Sequence, residues 1–282
     1  MSGHTGSDGR IASGDGLSLS YRSWLPPRAH AVVLVVHGLA EHSGRYERVG
    51  RHLADLGYAC HALDYRGHGR SPGPRAHVRR FDEFLADVAA ARSHLAAAHA
   101  GLPLALLGHS QGGLIVLLSA LTAPDGLAAV VATSPFLGIH PASRPPRALA
   151  AAARVLSATV PRLRIASKLD TAHLSRDPAV VAAYEADPLV TRKVSARWFT
   201  EVGGAHARAL ALAPTLRVPA LVMQAGADRL VDPGATRRWA EAAPPALVEY
   251  VEWDGFFHEI LNEPEKAEVL ARIARWLEAH LA

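Results

Sequence analysis

The sequence is poor in the features on which several kinds of protein depend. A single cysteine, Cys60, stands among 282 residues, so no internal disulfide can form. Its place in the apolar stretch Tyr58 to Leu63 marks it as a small buried hydrophobe rather than a nucleophile. No apolar run is long enough to cross a bilayer as a helix, and the polar, glycine-rich start, Met1 to Gly16, lacks the apolar region of a signal peptide. These absences point to a soluble cytoplasmic chain; peripheral contact with a membrane and the oligomeric state stay open. There is no block of like charge and no stripe of aromatic and basic residues. The net charge of +4, carried mostly by scattered arginines, reads as general surface charge, and no nucleic-acid partner is expected. Neither HExxH nor a cysteine cluster accompanies His37 and His42, and the glycines between Gly67 and Gly73 lack the P-loop lysine spacing. Neither a metal nor another cofactor is therefore expected.

What the chain does have is a core and a motif. Hydrophobic residues make up 49% and charged residues 20%, a balance that favours one globular unit with a sizeable interior. The string Gly108-His109-Ser110-Gln111-Gly112-Gly113 has the form G-x-S-x-G, follows the apolar run Leu102 to Leu107 and opens the helical run Leu114 to Leu121. A serine at such a strand-to-helix turn is a nucleophile elbow. The flanking glycines lack the Cβ atoms that would collide there, and the amide of Gln111, at the positive end of the helix, is placed to stabilise an oxyanion.

Buried strands are expected at Ala31 to Val36, Tyr58 to Leu63, Leu104 to Leu107, Leu127 to Ala132, Val218 to Gln224 and Leu247 to Val251, with helices alternating between them. Gly14 to Trp24 alternates through Leu17, Leu19 and Tyr21 and reads as a half-buried edge strand. From Phe136 to about Arg197 the alternation stops in a helical stretch broken by prolines, with no strand of comparable quality. The expected organisation is an α/β core over 1–135 and 198–282, with a helical cap inserted at 136–197, on the sheet edge where ligands enter.

A serine hydroxyl needs a neighbouring base, and histidine is the usual one. Among 16 histidines, His258 stands out in the loop between the last strand and the last helix, on the edge that also carries the elbow; His280, in the final helix, reads as a surface residue. Asp228, just past the strand ending at Gln224, is placed to orient the imidazole, with Asp232 as the fallback. The order Ser110, Asp228, His258 is the chain order of α/β-hydrolases. The second oxyanion donor is sought after the first buried strand, in His37-Gly38-Leu39-Ala40-Glu41-His42, at the amide of Leu39; His37 itself reads as a loop-fixing side chain.

The strings HGLAEHSGRY (37–46), DYRGHGRSPG (64–73), GHSQGG (108–113), LSRDPAVVAAYEADPLV (174–190), GADRLVDP (226–233) and GFFHEILNEPEK (255–266) resemble the monoacylglycerol lipase and lysophospholipase branch of the α/β-hydrolases over nearly the whole chain. The resemblance implies the α/β-hydrolase fold: a mostly parallel eight-stranded sheet flanked by helices, a helical cap, and the same triad. It implies hydrolysis of a single-chain lipid ester, monoacylglycerol first, through an acyl-enzyme intermediate. Lysophospholipid, a general carboxylester, a peptide substrate and a non-catalytic binding relative remain as alternatives; an aspartate in place of Ser110 would be wanted by a dehalogenase or epoxide hydrolase. It also places Glu41, Arg45 and Tyr184 near the polar head of the substrate, or else as a loop ion pair and a buried cap tyrosine. Some members carry a polar side chain three residues after the histidine, where this chain has Leu261. Arg147 and Arg154 share one helical face in the cap, which suits either an anionic membrane surface or two solvated charges on a packed helix.

Overall fold

Runs of β-branched and leucine side chains, too apolar to face water on either side, dictate the central strands. The computed structural model describes residues 6–167 and 169–281; residues 1–5 of the polar start, residue 168 of the expected insertion and the last residue lie outside the described residues. In chain order the first half comprises β1 (Ser7–Ala12), β2 (Ser18–Trp24), β3 (Ala31–Val36), α1 (Glu47–Asp55), β4 (Tyr58–Leu63), α2 (Asp82–Ala98), β5 (Leu104–His109), α3 (Gln111–Thr122) and β6 (Ala129–Thr133). There follow α4 (Arg147–Thr159), β7 (Arg164–Ala166), α5 (Pro178–Ala186), β8 (Lys193–Ser195), α6 (Ala196–Leu212), β9 (Ala220–Ala225), α7 (Pro233–Ala242), β10 (Val248–Trp253) and α8 (Lys266–Leu281).

Eight strands form one sheet in the order β1-β2-β4-β3-β5-β6-β9-β10. Only the pairings of β2 with β1 and β4 are antiparallel; the other pairings run parallel. Alternate residues of β3 feed opposite cores. Val32, Leu34 and Val36 pack with α2, α3, α6 and α7, whereas Val33 and Val35 pack with α1 and α8. Helix α3 is buried on all sides through eleven of its twelve residues, which explains why its sequence shows no polar face.

One local expectation is corrected. The stretch ending at Trp24 is not an edge strand, because β1 pairs along its outer side. Strand β1 buries only Ile11, so it is held by the ladder to β2 rather than by an apolar face and leaves no hydrophobic alternation to read. Between α4 and α6 the chain also forms a short antiparallel pair, Arg164–Ala166 with Lys193–Ser195. Strand β7 is wholly exposed while β8 buries Val194 and Ser195, and three residues apiece are too few to show an alternation.

For the site, what matters is the rim at the carboxyl ends of the parallel strands. Val36 of β3 pairs with Gly108 of β5, Gly108 with Ala132 of β6, Ala132 with Val222 of β9, and Val222 with Tyr250 of β10. The loops after β3, β5, β9 and β10 thus leave the sheet on the same side, and the chain between β6 and β9 passes over them. It is tied down by Thr191 N–H to Ala40 O (3.0 Å), Ser195 N–H to Ala76 O (3.1 Å) and the Arg144–Asp232 ion pair (3.0 Å).

Candidate active site

Ser110 sits between the last residue of β5 and the first of α3, with φ 52° and ψ −117°. Such a left-handed backbone at a non-glycine residue costs about 1–3 kcal/mol and persists only where its surroundings hold it. Here Ser110 N–H donates to Thr133 O (3.0 Å), and Ser110 O accepts from Phe136 N–H (2.8 Å) and Leu114 N–H (3.1 Å). A Cβ at Gly108 would lie 2.3 Å from Gly112 O, and one at Gly112 would lie 1.9 Å from Val36 O. Both glycines are therefore demanded by the close approach of β3, β5 and α3.

The loop after β9 brings Asp228 to His258. Asp228 Oδ2 lies 2.7 Å from His258 Nδ1 and accepts from Gln224 Nε2 (3.2 Å), while Oδ1 accepts the N–H groups of Leu230 (2.8 Å) and Val231 (3.0 Å). Burial would raise this carboxyl, but the charge and hydrogen bond of His258, with the two backbone donors, hold it below its ordinary value. Burial likewise opposes charge on His258, yet the Asp228 carboxylate outweighs it, with Glu259 and Glu41 adding to the effect, and the imidazole is raised above its ordinary 6.5. An ionised carboxylate can only accept, so Nδ1 carries the proton in the neutral ring and Nε2 is left as a base. His258 and Ser110 line one cavity without being hydrogen-bonded to each other. Unliganded sites often hold such pairs apart until substrate arrives. Asp232 is elsewhere engaged: it caps α7 through Gly234 N–H (3.0 Å) and pairs with Arg144 and Arg238.

After β3 the chain turns through Ala40 at φ 68°. Gly38 N–H donates to Glu41 Oε1 (2.5 Å), and Gly38 O accepts from His37 Nδ1 (2.7 Å) and Tyr65 Oη (2.8 Å). His37 is fully buried, stacked on Tyr65 at 4.1 Å, and fixes the loop from beneath. Among the described residues, no hydrogen bond takes the backbone N–H of Leu39 or of Gln111. Leu39 lines the cavity, whereas the Gln111 side chain turns into the core.

Glu41, Arg45 and Tyr184 are brought together, with Glu259 as a fourth member. Arg45 binds Glu41 and forks onto Glu259 through two hydrogen bonds of 2.7 and 2.8 Å, and its guanidinium lies 4.8 Å from the centre of the Tyr184 ring. Burial would raise the Glu41 carboxyl, but Arg45 and more distant imidazoles hold it down at about 2. Glu41, Tyr184 and Glu259 line the cavity; Arg45 lies behind them. Leu261 is buried among α1 and α8 and does not reach the cavity. Two residues to which the sequence assigns no role also border it. His109 packs its ring 4.8 Å from that of His258 and is kept neutral, down to about 4, by burial and by the neighbouring imidazole. Glu259 is the other; its adjacency to His258 is its only sequence signal.

The cavity holds about 280 Å³. Its floor is Ser110 and His258, and its walls are mostly apolar side chains of the overlying segment, among them Leu149, Ile165, Leu174, Val194 and Trp198. Among the described residues, no group of three or more His, Cys, Asp or Glu side chains is arranged to hold a metal ion.

This sheet, with a strained serine at the elbow and a buried Asp–His pair across the rim, defines a serine hydrolase of the α/β-hydrolase fold. The chain belongs to the family described as serine aminopeptidase, S33, which matches residues 27–265. It is 36% identical over 285 residues to the monoacylglycerol lipase of Mycolicibacterium smegmatis, covering 100% of both chains. To phospholipase YtpA of Bacillus subtilis it is 34% identical over 256 residues, covering 88% of this chain and 95% of that one. The crystal structure of Paleococcus ferrophilus monoacylglycerol lipase superimposes with a TM-score of 0.85 at 34% identity, covering 93% of this chain and 99% of that one. The resemblance to the monoacylglycerol lipase branch therefore extends through the overlying segment.

Proposed function

We propose that the chain hydrolyses a single-chain lipid ester, monoacylglycerol, to fatty acid and glycerol. The observation that carries the reading is the meeting of Ser110 with the Asp228–His258 pair on the floor of one apolar cavity. In the proposed mechanism His258 Nε2 takes the proton of Ser110 as its oxygen attacks the ester carbonyl. The backbone N–H groups of Leu39 and Gln111 hold the tetrahedral oxyanion, and Asp228 stabilises the imidazolium. Collapse expels glycerol, which leaves with the proton from His258. A water, deprotonated by the same nitrogen, then attacks the acyl-serine, and the fatty acid departs. The acyl chain occupies the apolar walls; Glu41 and Tyr184, with Arg45 behind them, lie toward the head group.

A peptidase reading is less well supported. An aminopeptidase needs a carboxylate free to receive the substrate's ammonium. The carboxylates lining this cavity are Glu41 and Glu259, and Arg45 pairs with both. Hydrolysis rates across glyceryl, lysophosphatidyl and p-nitrophenyl esters and an aminoacyl anilide test the assignment. The monoacylglycerol is expected to turn over fastest; a preference for the anilide would overturn it.

The proposed division is a core over 1–135 and 198–282 and a cap over 136–197. Its junction falls at the start of α6, where Ala196 already begins the helix. We further place the enzyme in the cytoplasm at a membrane surface, reached through the cap. Leu149 and Val155 of α4 are 52% and 63% exposed, Arg147 and Arg154 are exposed on the same helix, and Val160, Leu163 and Ile165 extend the apolar surface. Among the described residues, no helix is long and apolar enough to cross a membrane.

A further inference from the structure

Of the two proposed oxyanion donors, Leu39 lies in the loop after β3 and Gln111 opens α3, and a buried hydrogen-bonded chain joins them. It starts outside the catalytic groups, at Trp198 in the first turn of α6. Trp198 Nε1 donates to Gln111 Oε1 (2.6 Å), Gln111 Nε2 donates to Tyr65 Oη (3.0 Å), and Tyr65 Oη donates to Gly38 O (2.8 Å). Gln111 and Tyr65 are fully buried and Trp198 is 5% exposed, so water does not compete for these groups.

The direction of the chain is forced. An indole N–H can only donate, so the atom of Gln111 facing it must be the amide oxygen. The amide nitrogen then faces Tyr65 and occupies a lone pair of the phenol oxygen. The single phenol hydrogen is left for Gly38 O. That carbonyl also takes His37 Nδ1 (2.7 Å), so both of its lone pairs are filled. Across a planar trans peptide the carbonyl of Gly38 and the N–H of Leu39 point in opposite directions. Holding the one toward Tyr65 aims the other away from it. Close approach leaves little slack, since a Cβ at Gly38 would stand 3.3 Å from Ser110 Cβ.

We infer that Tyr65 is a positioning residue for the oxyanion site: its hydroxyl, polarised through Gln111 by Trp198, fixes the Gly38–Leu39 peptide with the Leu39 N–H directed at the developing charge. This rests on the ester-hydrolase reading above and adds to it a residue that touches neither substrate nor the Asp–His pair. Burial raises the Tyr65 hydroxyl well above its ordinary value, so it stays a donor throughout the working pH range.

The test is Tyr65→Phe, which keeps the ring stacked on His37 and removes only the hydroxyl. A mispositioned donor weakens the transition state and not the ground state. The expected result is a fall in kcat of roughly 10- to 100-fold at unchanged KM. The affinity for a boronic-acid analogue of the tetrahedral intermediate should fall by a similar factor, and the pH midpoint should stay in place. A kcat within twofold of the parent, or a rise in KM that accounts for the whole loss, overturns the inference. Gln111→Met, which keeps its backbone N–H but breaks the chain, should move kcat and analogue affinity in the same direction; if Tyr65→Phe does not fold, this variant decides. The parent protein separates the two readings. If it fails to react with a fluorophosphonate at Ser110, the hydrolase assignment is at fault; if it reacts and both variants match it in kcat and analogue affinity, only the role of Tyr65 is lost.

Discussion

Arg45 grips Glu259, the residue next to His258, through two parallel hydrogen bonds of 2.7 and 2.8 Å, and its Nη1 also reaches Glu41. One guanidinium thereby ties the loop after β3 to the loop after β10. The two carboxylates are about 4% exposed, so removing their shared partner strands buried charge. Arg45→Met is expected to cost about 3–5 kcal/mol of stability. Its kcat should also fall, because Glu41 holds Gly38 N–H in the loop that carries Leu39. Urea unfolding and ester kinetics on the same preparation check both.

The glycines divide into those the fold requires and those it does not. Gly112→Ala would drive a methyl to 1.9 Å from Val36 O and 2.5 Å from His37 O, both backbone atoms. The expected cost exceeds the ~1–3 kcal/mol of ordinary overpacking, with loss of activity. Gly203 lies exposed inside α6 with nothing within 4 Å of where a methyl would stand, and Gly203→Ala should stabilise by about 0.5–1 kcal/mol with activity unchanged. Melting temperatures of the two variants, moving in opposite directions, verify the contrast.

The raised imidazole at His258 predicts the pH profile. Its base form is populated only above its own value, so kcat/KM should climb through a midpoint above 6.5 and fall on acidification. Replacing the carboxylate in Asp228→Asn removes the main charge that raises it. The midpoint should move down, and turnover should drop about 10⁴-fold if the amide inverts the tautomer. The pair also contributes to stability with a definite sign. The raised His258 contributes fully below the unfolded histidine value and loses its share as pH rises through the folded one. The lowered Asp228 contributes above the ordinary carboxyl value and loses its share as pH falls through the folded one. Unfolding free energies measured against pH should show both limbs diminished in Asp228→Asn.

The surface of α4 predicts membrane association that depends on charge and on apolar contact separately. Arg147→Glu with Arg154→Glu should weaken binding to anionic vesicles and leave binding to neutral vesicles unaltered. Val155→Ser should weaken both. Sedimentation with the two vesicle types measures this, and unchanged binding of the charge-reversed protein to anionic vesicles would dispose of the membrane role.

The sequence displays those features that one short segment must satisfy by itself. Gly108 and Gly112 betray the elbow because no side chain fits where β5 turns into α3, and the runs at Ala31 to Val36 and Tyr58 to Leu63 betray strands buried on both faces. Asp228 and His258 are legible because parallel strands must end at one rim. What is hidden depends on distant partners. Glu259 acquires its meaning from Arg45, 214 positions away, and the Gln111 side chain from Trp198, 87 away. Strand β1 is hidden for another reason, since it is held by backbone pairing with β2 and by the ion pairs of Asp8 with Arg22 and Arg70 rather than by an apolar face.

The central claim is that Ser110 is the attacking group, served by His258 and Asp228. Single-substitution kinetics at Ser110 test it most directly, with a monoacylglycerol as substrate and folding checked by the melting temperature. Ser110→Ala is predicted to lower kcat by about 10⁶-fold while remaining folded. A folded Ser110→Ala protein that keeps a tenth of the parent turnover would contradict the account.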